Sequence, residues 1–269
     1  MPATAMTVRD AVAAAVDALT AAGCDTPRLD AELLIADGLG VDRGRLVSDP
    51  ALEVPPSSAR ELGERIRRRV AREPVAYILG RRGFRRIELG VDRRVLIPRP
   101  ETELLVELAL ELPPGARVHD VGTGSGAVAL AIADERPDLR VSASDASNEA
   151  LEVARANAAA LGLDVEMSVA RGLPQGDYDL VVANLPYVTE AEWPGLQPEI
   201  RRYEPRGALV SGEDGLDAIR ELVGQAPTAL RLALEHAPDQ AATVRALLPG
   251  AQTHRDLAGR ERVTVGIAR

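Results

Sequence analysis

The stretch Val118-His119-Asp120-Val121-Gly122-Thr123-Gly124-Ser125-Gly126-Ala127 constrains this chain more than any other. Apolar residues over 116–121 predict a short buried strand, and Ala127, Val128, Leu130, Ala131 and Ile132 predict a helix over 125–133 packed on it. Between them lie three glycines at alternate positions. A backbone without Cβ atoms can turn sharply there and let a ligand approach the free N–H groups that open the helix. A dinucleotide fingerprint spaces its glycines G-x-G-x-x-G, whereas Gly122, Gly124 and Gly126 give G-x-G-x-G after an acid, Asp120. A second strand is expected over 139–143, with Asp145 just beyond it. An acid at that point can grip both hydroxyls of a ribose.

Further along, strands are expected over 165–169, 178–183, 230–235 and 262–268, separated by helices over 149–161, 215–223 and 240–247. Strand alternating with helix predicts an α/β domain whose mostly parallel sheet is covered on both faces. Ligands then sit at the carboxyl ends of the strands. Asp120, Asp145 and Asn184 all fall on that edge.

Upstream, the pattern changes. Val12, Ala15, Val16 and Leu19 line one face of a helix over 7–22, with Thr7 as N-cap and Gly23 as stop. Pro27 opens a second helix with Leu29, Leu33 and Ala36 on one face, a shorter segment follows Asp42, and a fourth helix starts at Ser57 or Ser58 with Leu62, Ile66 and Val70 inward. Residues 1–80 therefore read as a small helical domain, 81–97 as a β-hairpin linker punctuated by Gly83 and Gly90, and 98–269 as the α/β domain. In the segment Leu96-Ile97-Pro98-Arg99-Pro100-Glu101-Thr102-Glu103, two prolines stiffen the entry and Thr102 is expected to cap a helix over 104–112.

Charge and cysteine content set outer limits. The formal net charge of -9 argues against a general nucleic-acid binder. A single cysteine, Cys24, excludes an internal disulfide and a cysteine metal cluster and fits a reducing cytoplasm. No metal is expected, and no apolar run is long enough to cross a membrane. Arg60, Arg65, Arg67, Arg68, Arg69 and Arg72 crowd the fourth helix and its end. Two readings stay open: a solvated face tied by i, i+4 pairs with Glu61 and Glu64, or a basic patch that docks an acidic macromolecule.

The D-x-G-x-G-x-G turn with its later strand-end acid resembles the class I S-adenosylmethionine-dependent methyltransferases. Asn184-Leu185-Pro186-Tyr187, at the end of an apolar strand, resembles the Asn-Pro-Pro-Tyr type of motif in enzymes that methylate planar nitrogens conjugated to a π-system. Such a nitrogen is a poor nucleophile because its lone pair is delocalised. A side-chain amide oxygen and a backbone carbonyl can accept from its N–H groups while an aromatic ring packs on the flat group, and proximity of this kind can be worth about 7 to 11 kcal/mol.

The resemblance becomes specific with Pro74-Val75-Ala76-Tyr77-Ile78-Leu79-Gly80, the Ile97-Pro98-Arg99-Pro100-Glu101-Thr102-Glu103 segment, the glycine turn, Asn184 to Tyr187, Arg202-Tyr203-Glu204-Pro205, Leu234-Glu235-His236 and Glu261-Arg262-Val263-Thr264. In this order they resemble the release factor glutamine methyltransferases over nearly the whole chain. The resemblance implies a Rossmann-like methyltransferase fold and methylation of the glutamine amide in the Gly-Gly-Gln loop of peptide chain release factors. It further implies that Asp120, Gly122, Thr123, Gly124, Ser125, Gly126, Asp145, Gly172 and Asn184 bind S-adenosylmethionine, and that Asn184, Leu185, Pro186 and Tyr187 hold the glutamine. Two positions depart from the pattern. Leu185 stands where proline is usual, but the acceptor is a backbone carbonyl that leucine keeps, and the lost restriction costs only about 0.4 to 1 kcal/mol. Ala170-Arg171-Gly172-Leu173 replaces the acid and aromatic that usually border the adenine, a loss of roughly 1 to 3 kcal/mol, or about tenfold to a hundredfold in affinity.

Two other readings compete. An adenine N6-methyltransferase on nucleic acid would share the Asn-Pro-Pro-Tyr chemistry, but should carry a basic cleft for a flipped base. A catalytically weakened family member would bind a partner without turnover. The favoured expectation is a monomeric cytoplasmic enzyme that acts on release factors without touching nucleic acid or membrane.

Overall fold

The computed structural model describes residues 6–269, which divide into two compact units: 6–80 with 197–203, and 81–196 with 204–269. In the first, α1 (Val8–Ala21) opens with a capping box in which Thr7 Oγ1 accepts from Asp10 N and the Asp10 carboxylate accepts from Thr7 N. There follow α2 (Pro27–Leu39), α3 (Arg43–Ser48, capped by Asp42), α4 (Pro56–Val70) and α5 (Val75–Leu79). Ala15, Leu19, Ala31, Ile35, Leu46 and Leu62 form its core. Two expected inward residues face out instead, Leu29 at 39% and Val70 at 38% exposure. On α2 the buried set is Ala31, Leu34, Ile35 and the expected Ala36 together with Asp30 and Glu32, so burial runs around the helix and no single apolar stripe marks it.

One of these acids, Asp30, explains part of the arginine run. Arg69, buried, donates to Asp30 at 2.7 Å and pairs with Glu199 at 2.8 Å, and Arg72 holds both oxygens of Glu199 at 2.7 Å. Arg68 forks onto Glu73 with two bonds of 2.8 Å. Glu199 belongs to the later segment 197–203, whose Tyr203 hydroxyl also donates to the Ala71 carbonyl at 2.9 Å. Arg68, Arg69 and Arg72 are therefore internal struts, while Arg67 is an exposed residue on Glu64.

The second unit begins with the hairpin β1 (Arg81–Phe84) and β2 (Ile87–Gly90), joined by Arg85 and Arg86. Arg85 takes a positive φ of 49° in that turn. Next come α6 (Glu103–Leu110), β3 (Arg117–Val121), α7 (Ala127–Glu135), β4 (Arg140–Asp145), α8 (Asn148–Leu161), β5 (Glu166–Val169) and β6 (Leu180–Ala183). The chain continues through α9 (Pro198–Tyr203), which belongs to the first unit, and then α10 (Asp217–Gln225), β7 (Arg231–Glu235), α11 (Ala241–Leu247), β8 (Gln252–Arg255) and β9 (Glu261–Ile267). The seven-stranded sheet has the order β5-β4-β3-β6-β7-β9-β8, parallel from β5 to β7, with β9 antiparallel to both β7 and β8.

Side chains of β6 alternate between two cores, as a pleated strand requires. Leu180 and Val182 pack with α6 and α7 residues such as Leu105 and Leu130, whereas Val181 and Ala183 pack with Ile219 and Leu222 of α10 and Val244 of α11. The sheet is thus covered on both faces, as the alternation of strands and helices predicts. After β3 the chain moves outward to β4 and β5, then returns to place β6 on the other side of β3. That reversal opens a crevice at the carboxyl ends of β3, β4 and β6.

Candidate active site

Gly122, Gly124 and Gly126 all have left-handed backbones, with φ of 75°, 57° and 84°, and each is needed for a different reason. A Cβ at 126 would lie 2.8 Å from Leu130 Cδ1, so this glycine lets α7 pack. A Cβ at 122 would sit 3.0 Å from Leu185 Cδ2, so this one admits the loop after β6. Gly124 has no atom within 4 Å of where its Cβ would stand and faces open space. That space is a cleft of about 720 Å³ whose wall includes Gly122, Gly124, Asp145, Gly172, Asn184 and Leu185, with Pro186 beside them.

Asp145 ends β4 with both carboxylate oxygens occupied on the protein side. Oδ2 accepts from Gly124 N at 2.9 Å and Oδ1 from Ser147 N at 2.8 Å. Each oxygen retains a second lone pair for a hydroxyl group. The acid thus locks the glycine turn and still faces the cleft. A glycine wall beside an acid with two free acceptor positions suits an adenosyl cofactor. The loop over 170–173 leaves room for it: Arg171 is 81% exposed and pairs with Glu221, while Gly172 (φ 75°) lies where a Cβ would fall 1.9 Å from Gln225 Oε1. Gln225 in turn accepts from Leu173 N at 2.9 Å, so α10 holds this loop back.

Asp120, Thr123, Ser125 and Gly126 lie behind that wall. Asp120 is 2% exposed, and its Oδ2 accepts from Thr123 Oγ1 at 2.6 Å and from Ala129 N at 3.2 Å. Burial pushes its carboxyl up to about 7. Ser125 is held through its carbonyl, which accepts from the buried Asn157 side chain at 2.8 Å. These residues brace the turn from within. His119 is likewise structural, its ring nitrogens 2.8 Å and 2.9 Å from the hydroxyls of Ser142 and Ser144, and burial lowers its imidazole to about 4.

Past β6, Asn184 Nδ2 donates to Thr102 Oγ1 at 2.9 Å. Thr102 was expected to cap a helix; its hydroxyl makes no capping bond, because the residue lies at the end of the 3-10 turn Pro100–Thr102 and turns to the site. The same turn is anchored upstream by buried Glu204, which accepts from Ile97 N at 3.1 Å and Arg99 Nη2 at 2.6 Å. Tyr187 donates its hydroxyl to Glu235 Oε1 at 3.3 Å, and its carbonyl accepts from Gln240 Nε2 at 2.9 Å. Burial pushes the Tyr187 phenol up, so it stays neutral. Glu235, 1% exposed at the end of β7, is pushed up to about 7 by burial, opposed by its polar neighbours Thr102 and Tyr187 and by the Arg262 charge. Among the described residues, Glu235 Oε2 and Arg262 Nε have no hydrogen-bond partner.

Sequence reasoning gave Thr102, Glu204, Glu235 and Gln240 no role in the site. A signal existed for Glu235: like Asp145, it is an acid that ends an apolar strand of the parallel sheet, at the edge where ligands collect.

Two family models match the chain, the PrmC N-terminal domain over residues 10–80 and the methyltransferase small domain over residues 100–195. Curated relatives named release factor glutamine methyltransferase align over most of its length. The one from Caulobacter vibrioides is 40% identical over 97% of this chain and 96% of its own length. That from Xylella fastidiosa is 44% identical over 89% and 92%, and that from Deinococcus radiodurans 41% identical over 96% and 97%. Among solved structures, the hMettl16 catalytic domain in complex with the MAT2A 3′UTR hairpin 6 is 14% identical, covers 66% of this chain and 74% of its own, and superposes with a TM-score of 0.53. At that identity the likeness is one of fold.

Proposed function

Because this chain belongs to the release factor glutamine methyltransferase family, we propose that it transfers a methyl group from S-adenosylmethionine to N5 of the glutamine in the Gly-Gly-Gln motif of peptide chain release factors. One observation carries the reading: Asn184, Leu185 and Pro186 line the same cleft as Gly122, Gly124 and Asp145. A cofactor wall and a planar-amide clamp share one cavity.

Bound S-adenosylmethionine supplies a methyl group made electrophilic by its sulfonium. The chain's own residues do the rest. Asp145 receives the ribose hydroxyls, and Gly124 keeps a side chain out of the cofactor's space, while Gly122 and Gly172 let the Leu185 loop and Gln225 close in behind it. Asn184 Oδ1 and the Leu185 carbonyl accept the two N–H groups of the glutamine amide, while Pro186 and Tyr187 pack on its plane. Held this way, the amide nitrogen presents its lone pair to the methyl, and proximity can supply about 7 to 11 kcal/mol. Charge that develops on nitrogen is spread over the two accepting oxygens. The C–N bond would form as the methyl–sulfur bond breaks, its electron pair staying on sulfur, and the nitrogen would shed one proton to water. Neutral Tyr187 takes no part in proton removal.

The helical unit is read as the surface that docks the release factor, residues 81–97 as a linker and 98–269 as the transferase. The protein works as a cytoplasmic monomer on a protein partner, in keeping with a net charge of -9 that disfavours nucleic acid. Calorimetric titration with S-adenosylmethionine, followed by mass spectrometry of an unmodified release factor, tests the reading. Saturable binding and one added methyl on the Gly-Gly-Gln glutamine are expected; binding without that methyl would redirect the search to other amide substrates.

A further inference from the structure

We propose that Glu221, in the middle of α10, reads the base of S-adenosylmethionine: its carboxylate accepts from the exocyclic amino group of adenine, which makes it a specificity-determining residue of the cleft. The inference rests on the proposed placement of the cofactor against Gly122, Gly124 and Asp145.

The order of the strands sets the order of the ligand. Asn184 follows β6, Gly122 follows β3, Asp145 ends β4 and Ala170 follows β5, and these strands lie side by side as β5-β4-β3-β6. With the methyl group at Asn184 and the ribose at Asp145, the base, on the far side of the ribose from the sulfur, falls against the loop after β5. That loop closes directly on β4, since Ala170 N donates to the Asp145 carbonyl at 3.0 Å. Its residues Ala170, Arg171 and Gly172 line the cleft, yet none carries a side-chain acceptor for an amino group. Such an acceptor has to come from a neighbouring element, and α10 is fastened there through Gln225 and Leu173 N. One turn earlier on α10, Glu221 lines the cleft and meets Arg171 in three contacts of 3.2, 3.3 and 3.2 Å. These are long for charged partners, and the side chain, 38% exposed, can turn an oxygen toward a new donor.

Three other acids line the same cleft. Asp145 is engaged with the turn and the ribose, Asp217 lies so close to Gly212 that a Cβ there would meet its Oδ2 at 2.0 Å, and Glu149 stands in the first turn of α8 near the Arg94 charge. Of the four side chains, among the described residues, only that of Glu221 is bonded to the loop at the base's end.

The test is calorimetric titration of the full chain with S-adenosylhomocysteine and with the same compound carrying hypoxanthine for adenine. Hypoxanthine places a carbonyl oxygen where adenine has its amino group, so an acceptor side chain that binds one opposes the other. The wild type should prefer the adenine compound by roughly tenfold or more, and in Glu221→Ala the preference should fall below about threefold. Glu221→Gln should lose it too, because an amide can accept from the amino group or donate to the carbonyl. Weaker binding of both compounds in Glu221→Ala with the preference intact would make the residue a brace for the loop. A preference that disappears in Glu149→Gln but survives in Glu221→Ala would give the role to Glu149. Either result overturns the proposal, as does a wild type that binds both compounds alike. A wild type that binds neither overturns the placement of the cofactor itself, and the inference with it.

Discussion

Gly215 shows how little slack surrounds the substrate corner. Its φ is 76°, and a Cβ there would fall 2.1 Å from the Tyr187 carbonyl oxygen and 2.5 Å from Gln240 Nε2, atoms that bond to each other. Gly215→Ala must therefore both strain its own backbone, at about 1 to 3 kcal/mol, and push Tyr187 off its hydrogen bond, at about 1 kcal/mol. We expect thermal unfolding to drop by several degrees and turnover to fall further than cofactor affinity; an unchanged melting curve and rate would mean the loop has room. His119 makes a prediction about pH. Its folded pKa, about 4, lies below the ordinary 6.5, so its contribution to stability is present above pH 6.5 and is lost as pH falls through 4. Urea titrations of wild type and His119→Asn across that window should show the difference between them shrinking toward low pH by up to about 3 kcal/mol. A constant difference would mean the imidazole titrates normally.

Elements were legible where residues repeat a period that one partner surface imposes. The strand β6 (LVVA) is apolar on both faces because helices cover both, and α7 opens with an unbroken apolar stretch, so the α/β pattern stood out. Short elements did not: α5, α9 and β8 are too brief for a period, and half of α9 (PEIRRY) is charged. The glycine turn was readable, but which of its residues face the ligand was not, since that depends on what packs behind Asp120 and Gly126. Thr102 looked like a cap because serine and threonine before helices usually are, and only the fold brings it to Asn184, far along the chain. The arginine run was ambiguous for the same reason: Asp30 and Glu199, which hold Arg69, are remote in sequence. That pairing yields a prediction for the helical unit. Arg69→Met would leave Asp30 buried beside Glu199 with their shared cation gone, and stripping one partner from a buried pair costs about 3 to 5 kcal/mol. Circular dichroism melts should show the loss, and Arg69→Met with Asp30→Leu should recover part of it. No recovery would mean that Arg69 acts through something other than its pairing with Asp30.

At the scale of the whole molecule, the question is how an acidic chain recognises another protein. With a net charge of -9, long-range attraction must come from local patches. Pairing removes most of the α4 arginines from that role, since Arg65, Arg68 and Arg69 are engaged with Asp37, Glu73 and Asp30. Arg60 and Arg67 stay exposed on α4, and Arg67 has only the solvent-exposed Glu64 as its pair. Docking through this helix should therefore depend on two charges and not on the five that its sequence displays. Reversing both, in Arg60→Glu with Arg67→Glu, should raise KM for the release factor about tenfold, because exposed pairs contribute up to about 1 kcal/mol each. Affinity for S-adenosylmethionine should not move. Raising salt from about 50 to about 300 mM should weaken the wild type toward the variant, since charges beyond a Debye length are screened. If KM is the same for both proteins at low salt, the helix is a solvated face after all and recognition lies elsewhere on the chain.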